Sequence, residues 1–150
     1  KGTCRAWRRG WKETLKKRER PRLLVIGGED NSGCLFSSME RYDPSTNAWE
    51  EEAMVPMPTA RKGAGTTVLD GKLHAAGGLN EADRAPSNQV ERYDLTSKAW
   101  ESVAPMAEER YDHAVEVLDG KLYAVGGYDG GALSSVERYD PALDTWEQVA

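Results

Sequence analysis

Few residues of this chain could perform chemistry. The 150 residues include two histidines, His74 and His113, and two cysteines, Cys4 and Cys34. These side chains are too few and too widely spaced for a disulfide framework or a four-ligand zinc site. No phosphate-binding loop, catalytic triad spacing or paired-carboxylate motif stands out either. We therefore expect no metal, no cofactor and no catalytic residue, and the sequence favours a protein that is not an enzyme.

Charged residues that recur at a fixed spacing are the next candidates. A block Glu-Arg-Tyr-Asp occurs three times, and a tryptophan follows each aspartate by six residues, at 40–49, 91–100 and 137–146. Because Arg41, Arg92 and Arg138 recur with the whole block, we interpret them as scaffold residues that pair with a carboxylate or with backbone carbonyls. The glutamate before each arginine is interpreted in the same way. A glycine pair precedes each block, and the repeat residues expected to be structural are Gly27, Gly28, Gly77, Gly78, Gly126, Gly127, Tyr42, Tyr93, Tyr139, Trp49, Trp100 and Trp146.

The elements that carry these residues are predicted to be short β-strands. The apolar run Leu-Leu-Val-Ile at 23–26 ends at a glycine pair, which is typical of a buried strand. Asp-Gly at 70–71 and 119–120 joins two strand-like runs, and this predicts a type I′ turn with positive φ at both residues. The unit is therefore four antiparallel strands, predicted at 66–69, 72–76, 89–93 and 99–103, and again at 114–118, 121–125, 135–139 and 145–149. The first unit lacks the first of these strands.

The charge of the chain is divided between two segments. Residues 1–22 carry ten lysines and arginines against two carboxylates, whereas residues 23–150 carry ten against twenty-three. The acidic repeats argue against nucleic acid as a partner, and no apolar run approaches the ~20 residues of a membrane span. Residues 1–22 are predicted to be a basic leader or linker with helical spacing of Trp7, Trp11 and Leu15. A membrane-surface or nucleic-acid arm and an unstructured leader are the alternatives.

The glycine pairs, the spaced tyrosine and tryptophan and the Asp-Gly-Lys-Leu turns resemble kelch repeats, and a four-stranded repeat of about 50 residues is typical of a β-propeller blade. ERYDP with its tryptophan, the Val-Ala-Pro-Met that follows and an arginine four residues after the methionine are similar to the metazoan kelch-like proteins in particular. The expected fold is an all-β, kelch-type propeller fragment of about three four-stranded antiparallel blades, near 23–55, 59–104 and 108–150. In that family the innermost strand of the first blade comes from the far C-terminus. The resemblance thus explains the missing first strand and implies a piece of a longer protein.

The resemblance also implies a function. Kelch-like proteins are non-enzymatic, and BTB and BACK domains ahead of the propeller bind a cullin-based ubiquitin ligase while the propeller's loop face binds the protein substrate. This chain would be that substrate-recognition propeller, in the cytoplasm or in a nuclear or cytoskeletal location; sparse cysteine suits such a setting. A scaffolding kelch protein without a ligase role is the alternative. A copper-oxidase propeller is a remote alternative. Its metal site needs several histidine and tyrosine ligands close together, and the two histidines of this chain lie in different repeats.

The loops between the repeats are the predicted binding face, because the segment after each glycine pair varies in length while the strands do not. By resemblance, the protein-binding positions follow the glycine pair and follow the arginine before a blade's first strand: Glu29, Asp30, Asn31, Lys62, Gly63, Leu79, Asn80, Arg84, Tyr111, Asp112, Tyr128 and Asp129. On and beside these loops, the carboxylates outnumber the basic residues: Glu29, Asp30, Glu81, Asp83, Asp112 and Asp129 stand against Arg61, Lys62, Arg84 and Arg110. This excess favours a basic or mixed-charge partner segment.

Three further expectations concern the scaffold. His74 is expected to pack in the core, whereas a structural role and contact with a ligand both stay open for His113, which lies at the entry of a predicted strand. The glycine pairs are expected where another chain segment approaches closely. Open sheet edges beyond the third blade predict self-association.

Overall fold

The structure is all-β. It is a computed structural model that describes residues 23–50 and 54–150, so the predicted leader and its helical spacing lie outside the described residues. Three antiparallel sheets follow one another along the chain, and we name them blades 1 to 3. Blade 1 contains β1 (Leu23–Ile26), β2 (Met39–Asp43) and β3 (Ala48–Trp49). Blade 2 contains β5 (Gly65–Leu69), β6 (Lys72–Ala76), β8 (Val90–Asp94) and β9 (Ala99–Val103). Blade 3 contains β10 (Ala114–Leu118), β11 (Lys121–Val125), β12 (Val136–Asp140) and β13 (Thr145–Gln148). The predicted propeller fragment with a three-stranded first blade is confirmed for the described part of the chain.

A small additional sheet was not predicted. β4 (Arg61–Lys62) pairs antiparallel with β7 (Leu79–Asn80), so the segment that enters blade 2 is hydrogen-bonded to the loop that follows β6. Two-residue strands carry no alternation of apolar and polar residues, and the sequence pattern therefore contains nothing that could reveal them. The long strands begin or end within one residue of their predicted bounds.

The turns follow from local chemistry. Asp70 and Gly71 have φ of 50° and 71°, and Asp119 and Gly120 repeat these values, which confirms the predicted turns with positive φ at both residues. At the other hairpin of the blade, the aspartate of the repeated block caps the turn. In blade 2 the Oδ1 atom of Asp94 accepts hydrogen bonds from the backbone of Thr96 at 2.8 Å and of Ser97 at 3.0 Å.

The hydrophobic cores lie between blades. Leu73 and Tyr93 of blade 2 pack with Met39 of blade 1, while the other face of blade 2 presents Leu69 and Val90 to blade 3. The two faces alternate along each strand because successive side chains of a strand point in opposite directions. Each blade is therefore apolar on both faces, and it needs a neighbour on each side.

The repeated tyrosine and tryptophan build this contact. Within each blade the two rings lie opposite each other on neighbouring strands, with centroids 5.2–5.3 Å apart. The indole Nε1 of Trp100 donates a hydrogen bond of 2.9 Å to the carbonyl of Val55, which follows blade 1. Trp146 donates one of 3.0 Å to the carbonyl of Ala104, which follows blade 2. Trp100 and Trp146 thus each fasten their own blade to the preceding one.

The two outermost faces are exposed in the described part of the chain. Leu118 of blade 3 is 58% exposed, whereas Leu69 at the same position of blade 2 is 5% exposed. On blade 1 the tryptophan Trp49 is 51% exposed. These faces are the surfaces on which the predicted self-association rests. Among the described residues there is no helix of the length and hydrophobicity needed to cross a membrane.

Replacing Trp100 by alanine should destabilise the fold more than the same change at Trp49. Trp100→Ala removes the ring packed against Tyr93 and the hydrogen bond to Val55, and we expect a loss of about 2–4 kcal/mol in the free energy of unfolding. Trp49→Ala is the matched control, because its half-exposed ring should cost only about 1 kcal/mol. Chemical denaturation of both variants measures the two losses; equal losses would contradict the role assigned to Trp100.

Candidate protein-binding site

Two kinds of segment meet at one end of the blades. The first follows each glycine pair, and the second leads from the last strand of one blade into the next blade. The amide of Gly28 donates to the carbonyl of Arg61 at 3.0 Å, and the amide of Gly78 donates to the carbonyl of Arg110 at 2.8 Å. Tyr111 and Tyr128 exchange two backbone hydrogen bonds of 3.0 Å. These bonds gather the loops of all three blades into one surface, which we call the loop face.

The glycine pairs allow this close approach. Gly77 has φ of +63°, and a Cβ atom placed on it would meet the carbonyl oxygen of Arg110. A Cβ on Gly78 would come within 2.7 Å of the carbonyl oxygen of Lys62. A side chain at either position would therefore push apart the segments that form the loop face.

Buried arginines underlie the loop face. Arg61 donates to the Gly77 carbonyl at 2.9 Å and forms an ion pair of 2.9 Å with Glu91. Arg110 donates to the Gly126 carbonyl at 2.8 Å and forms an ion pair of 2.8 Å with Glu137. Both guanidinium groups are buried, so Arg61 and Arg110 do not belong to the basic residues of the binding surface, contrary to the expectation from the sequence.

The repetition itself could have revealed this role. Each of these arginines lies four residues after a methionine, and each pairs with the glutamate of the next Glu-Arg-Tyr-Asp block. The arginine within the block is different, since Arg92 and Arg138 pair across strands with Glu101 and Glu147 at the surface, with Nε–carboxylate distances of 2.6 and 2.9 Å. The interpretation of the block arginines as carboxylate-paired residues therefore agrees with the geometry.

Glu29 is the centre of an ion cluster that joins blades 1 and 2. Its carboxylate accepts hydrogen bonds from Lys62 and, at 2.8 Å, from Nη1 of Arg84. Arg84 also donates to the carbonyl of Gly33. The hydrogen bond from Lys62 and the one from Arg84 hold the pKa of Glu29 below its usual value. We call Glu29, Lys62 and Arg84 the clasp; three of the predicted binding residues meet here, and both cations are paired with the one carboxylate of Glu29.

Several other predicted binding residues support their own loops. Oδ1 of Asp30 accepts from the Ser32 hydroxyl at 2.7 Å and from the Cys34 amide at 2.9 Å, and the Ser32 hydrogen bond is the main cause of a lowered Asp30 pKa. Oδ1 of Asn80 and of Asp129 accepts from a backbone amide two residues further on. Asn31 is exposed beside these loops, and Leu79 lies in β7.

The remaining predicted residues surround the entry to blade 3. The amide of Asp112 donates to the carbonyl of Gly63 at 2.8 Å, so the two blade-entry segments are in contact. The rings of Tyr111 and Tyr128 lie side by side with centroids 5.9 Å apart. The structure thus places the twelve predicted residues in two groups on one face, one around the clasp and one around this tyrosine pair.

Both histidines are buried between blades. His74 lies beside Tyr139 of blade 3, with ring centroids 6.1 Å apart, in agreement with the expected core position. His113 packs over Gly65, Gly77 and Gly127, and neither of its ring nitrogens has a hydrogen-bond partner. Its burial argues against the alternative of direct ligand contact. Among the described residues, no three histidine, cysteine or acidic side chains are grouped so that they could hold a metal ion.

Comparison with known families agrees with this geometry. The family model described as KLHDC2/KLHL20/DRC7 Kelch-repeats domain matches residues 6–150. The chain belongs to the kelch-repeat family. This kelch chain is 37% identical over 145 residues to Kelch-like protein 36 of Bos taurus, an alignment that covers 93% of the chain and 23% of the relative.

Other kelch relatives are similar over shorter stretches. Kelch-like protein 35 of Mus musculus is 33% identical over 128 residues, which are 85% of this chain and 21% of that protein. Beta-scruin of Limulus polyphemus is 32% identical over 84 residues, which are 53% of this chain and 9% of that protein. The kelch chain therefore spans less than a quarter of the length of these relatives.

Removing the charge of Glu137 should be costly. Glu137→Gln leaves the buried guanidinium of Arg110 without its main counter-charge, and we expect the free energy of unfolding to fall by about 3 kcal/mol. Glu147→Gln removes the exposed partner of Arg138 in the same blade and should have a much smaller effect, because an exposed ion pair contributes little to stability. Chemical denaturation distinguishes the two variants. A Glu137→Gln loss as small as that of the control would show that Glu137 is not needed to compensate the buried charge of Arg110.

Acidification should destabilise the contact between blades 2 and 3. Burial, with a smaller contribution from Arg110, lowers the pKa of His113 from 6.5 to about 4. In the unfolded chain the ring gains its proton near pH 6.5, so stability is complete above that pH and is lost as pH falls towards 4.

The measurement is the difference in unfolding free energy between pH 7 and pH 5. We expect His113→Leu to reduce this difference by about 2 kcal/mol. His74→Leu measures the separate share of the other ring, whose pKa is also lowered by burial. An unchanged pH dependence in His113→Leu would show that His113 does not titrate as the structure implies.

Proposed function

We propose that this kelch chain is the partner-recognition part of a substrate receptor for a cullin-based ubiquitin ligase, and that the loop face binds the protein substrate. The observation that carries the proposal is that the repeated residues and the variable loops have different places in the structure. The repeated glycines, aromatic residues and buried arginines join the blades, whereas the loops that differ between blades are gathered on one face.

A role in binding rather than in catalysis has two supports. The loop face presents ion pairs, loop-capping carboxylates and two tyrosines, which are groups suited to contact with a protein surface. Kelch-like proteins 36 and 35 are similar over most of the chain, and the kelch-like resemblance implies a substrate receptor. The ligase itself would be bound by parts of the protein outside this chain.

A scaffolding kelch protein without a ligase role is the second candidate. Beta-scruin matches about half of the chain, so the repeats are not restricted to proteins named kelch-like. Both candidates use the loop face as a binding surface. They differ in what happens to the bound partner.

Site-specific photo-crosslinking tests the binding face. A benzophenone amino acid is placed at Asn31 or Ala132 on the loop face, and at Thr96 or Leu143 in turns at the opposite end as controls. All four positions are exposed, so each variant should fold. We expect the full-length protein to form discrete crosslinks to partner proteins from the loop-face positions and none from the controls.

Crosslinks from both ends, or from the control positions alone, would contradict the assignment of the loop face. The fate of the captured partners then separates the two candidates. If the protein is a ligase receptor, depleting it should lower the ubiquitination of those partners and raise their abundance. Unchanged ubiquitination would favour the scaffolding role.

A further inference from the structure

One part of the loop face carries negative charge that the protein itself does not neutralise. We name Tyr111, Asp112, Tyr128 and Asp129 the blade 3 patch. The two tyrosine rings are 5.9 Å apart, and Tyr128 is 49% exposed. Mutual backbone hydrogen bonds hold the two residues side by side, so the pair is a fixed feature of the surface.

The clasp provides the contrast. There the carboxylate of Glu29 is paired with Lys62 and Arg84, so its negative charge is compensated within the protein. Within the described part of the chain, Asp112 and Asp129 form no ion pair. The nearest cation in sequence, Arg110, is buried and directs its guanidinium to Glu108, Glu137 and the Gly126 carbonyl.

Tyr128 is half-exposed and Tyr111 is partly buried, and each is followed in the sequence by an exposed aspartate that forms no ion pair within the described residues. Such a surface favours cations. The faces of tyrosine rings attract cations, and carboxylates bond them directly. Guanidinium groups satisfy both requirements, because they are planar, stack on aromatic rings and donate several hydrogen bonds. An anionic partner group would instead meet repulsion here, which opposes its binding.

We infer that the blade 3 patch binds a basic side chain of the protein partner, arginine in preference to lysine. The inference rests on the proposed function, since it names the chemistry by which one part of the loop face would recognise a substrate. It sets a different role for each group of predicted residues: the clasp fixes the loops of blades 1 and 2, and the blade 3 patch contacts the partner.

The test uses small probes on the whole chain. Isotope-labelled protein is titrated with N-acetyl-arginine methylamide, and with the citrulline analogue, which has the same shape and no charge. We expect the arginine probe to shift the amide signals of the blade 3 patch and to bind about fivefold more tightly than the citrulline probe. Equal binding of the two probes, or arginine shifts spread evenly over the surface, would overturn the inference.

A matched pair of variants tests whether the charge of Asp129 contributes to binding of the arginine probe. Asp129 and Asp83 are both exposed, and each caps its own loop through a hydrogen bond to the amide two residues on. Asparagine can make the same bond, so both variants keep the loop and lose the charge. Asp129→Asn should lower the affinity for the arginine probe several-fold, whereas Asp83→Asn should leave that affinity unchanged. Equal effects of the two substitutions would count against the patch.

The tyrosine contribution has its own control. Tyr128→Leu should lower the affinity for the arginine probe, whereas Tyr128→Phe should retain most of that affinity because the ring face is kept. Equal binding by the leucine and phenylalanine variants would show that the carboxylates act without the ring, against the patch as described.

Peptides selected from a random library then separate this inference from the proposed function. Selected peptides that map to the loop face and place a basic residue over blade 3 support both. Peptides that map there without such a residue leave the proposed function standing and overturn the basic-side-chain inference. Peptides that map away from the loop face contradict the proposed function itself.

Discussion

The arrangement of the blades depends on a buried ion pair at each junction. Arg110 holds together three separate pieces of chain: the entry segment on which it lies, the glycine pair through the Gly126 carbonyl, and the third strand of the blade through Glu137. A guanidinium removed from water requires all of these acceptors, because each missing one would leave a buried charge uncompensated. The backbone carbonyl of Arg110 also accepts the amide of Gly78 in blade 2, so the residue that orders the entry segment of blade 3 also holds that segment against blade 2.

Much of the fold could be predicted because it follows from short-range chemistry. Asp70-Gly71 needs only its own backbone preference to form the hairpin turn, and the six-residue spacing from Asp94 to Trp100 is set by one turn between two paired strands. By contrast, β4 and β7 are made by two segments that meet only after the blade has formed. A contact of that kind leaves no periodic trace in the residues that make it.

For the candidate site, the sequence indicated the loops but not what each side chain does there. Glu29 and Arg84 are 55 residues apart, so their ion pair could not be distinguished from two free charges. Arg110 is a related case: a basic residue next to a variable loop counts toward the charge of that surface until its burial is known. Burial and pairing depend on the packing of one blade on another, which local patterns do not encode.

The direction of the tryptophan contacts has a consequence for how the protein is made. Trp100 and Trp146 each bond to the segment that precedes their own blade, never to the one that follows. During synthesis on the ribosome, the N-terminal segments appear first and fold as they emerge. Blades 2 and 3, when newly synthesised, thus each meet a docking surface that already exists, so their docking can follow the order of translation.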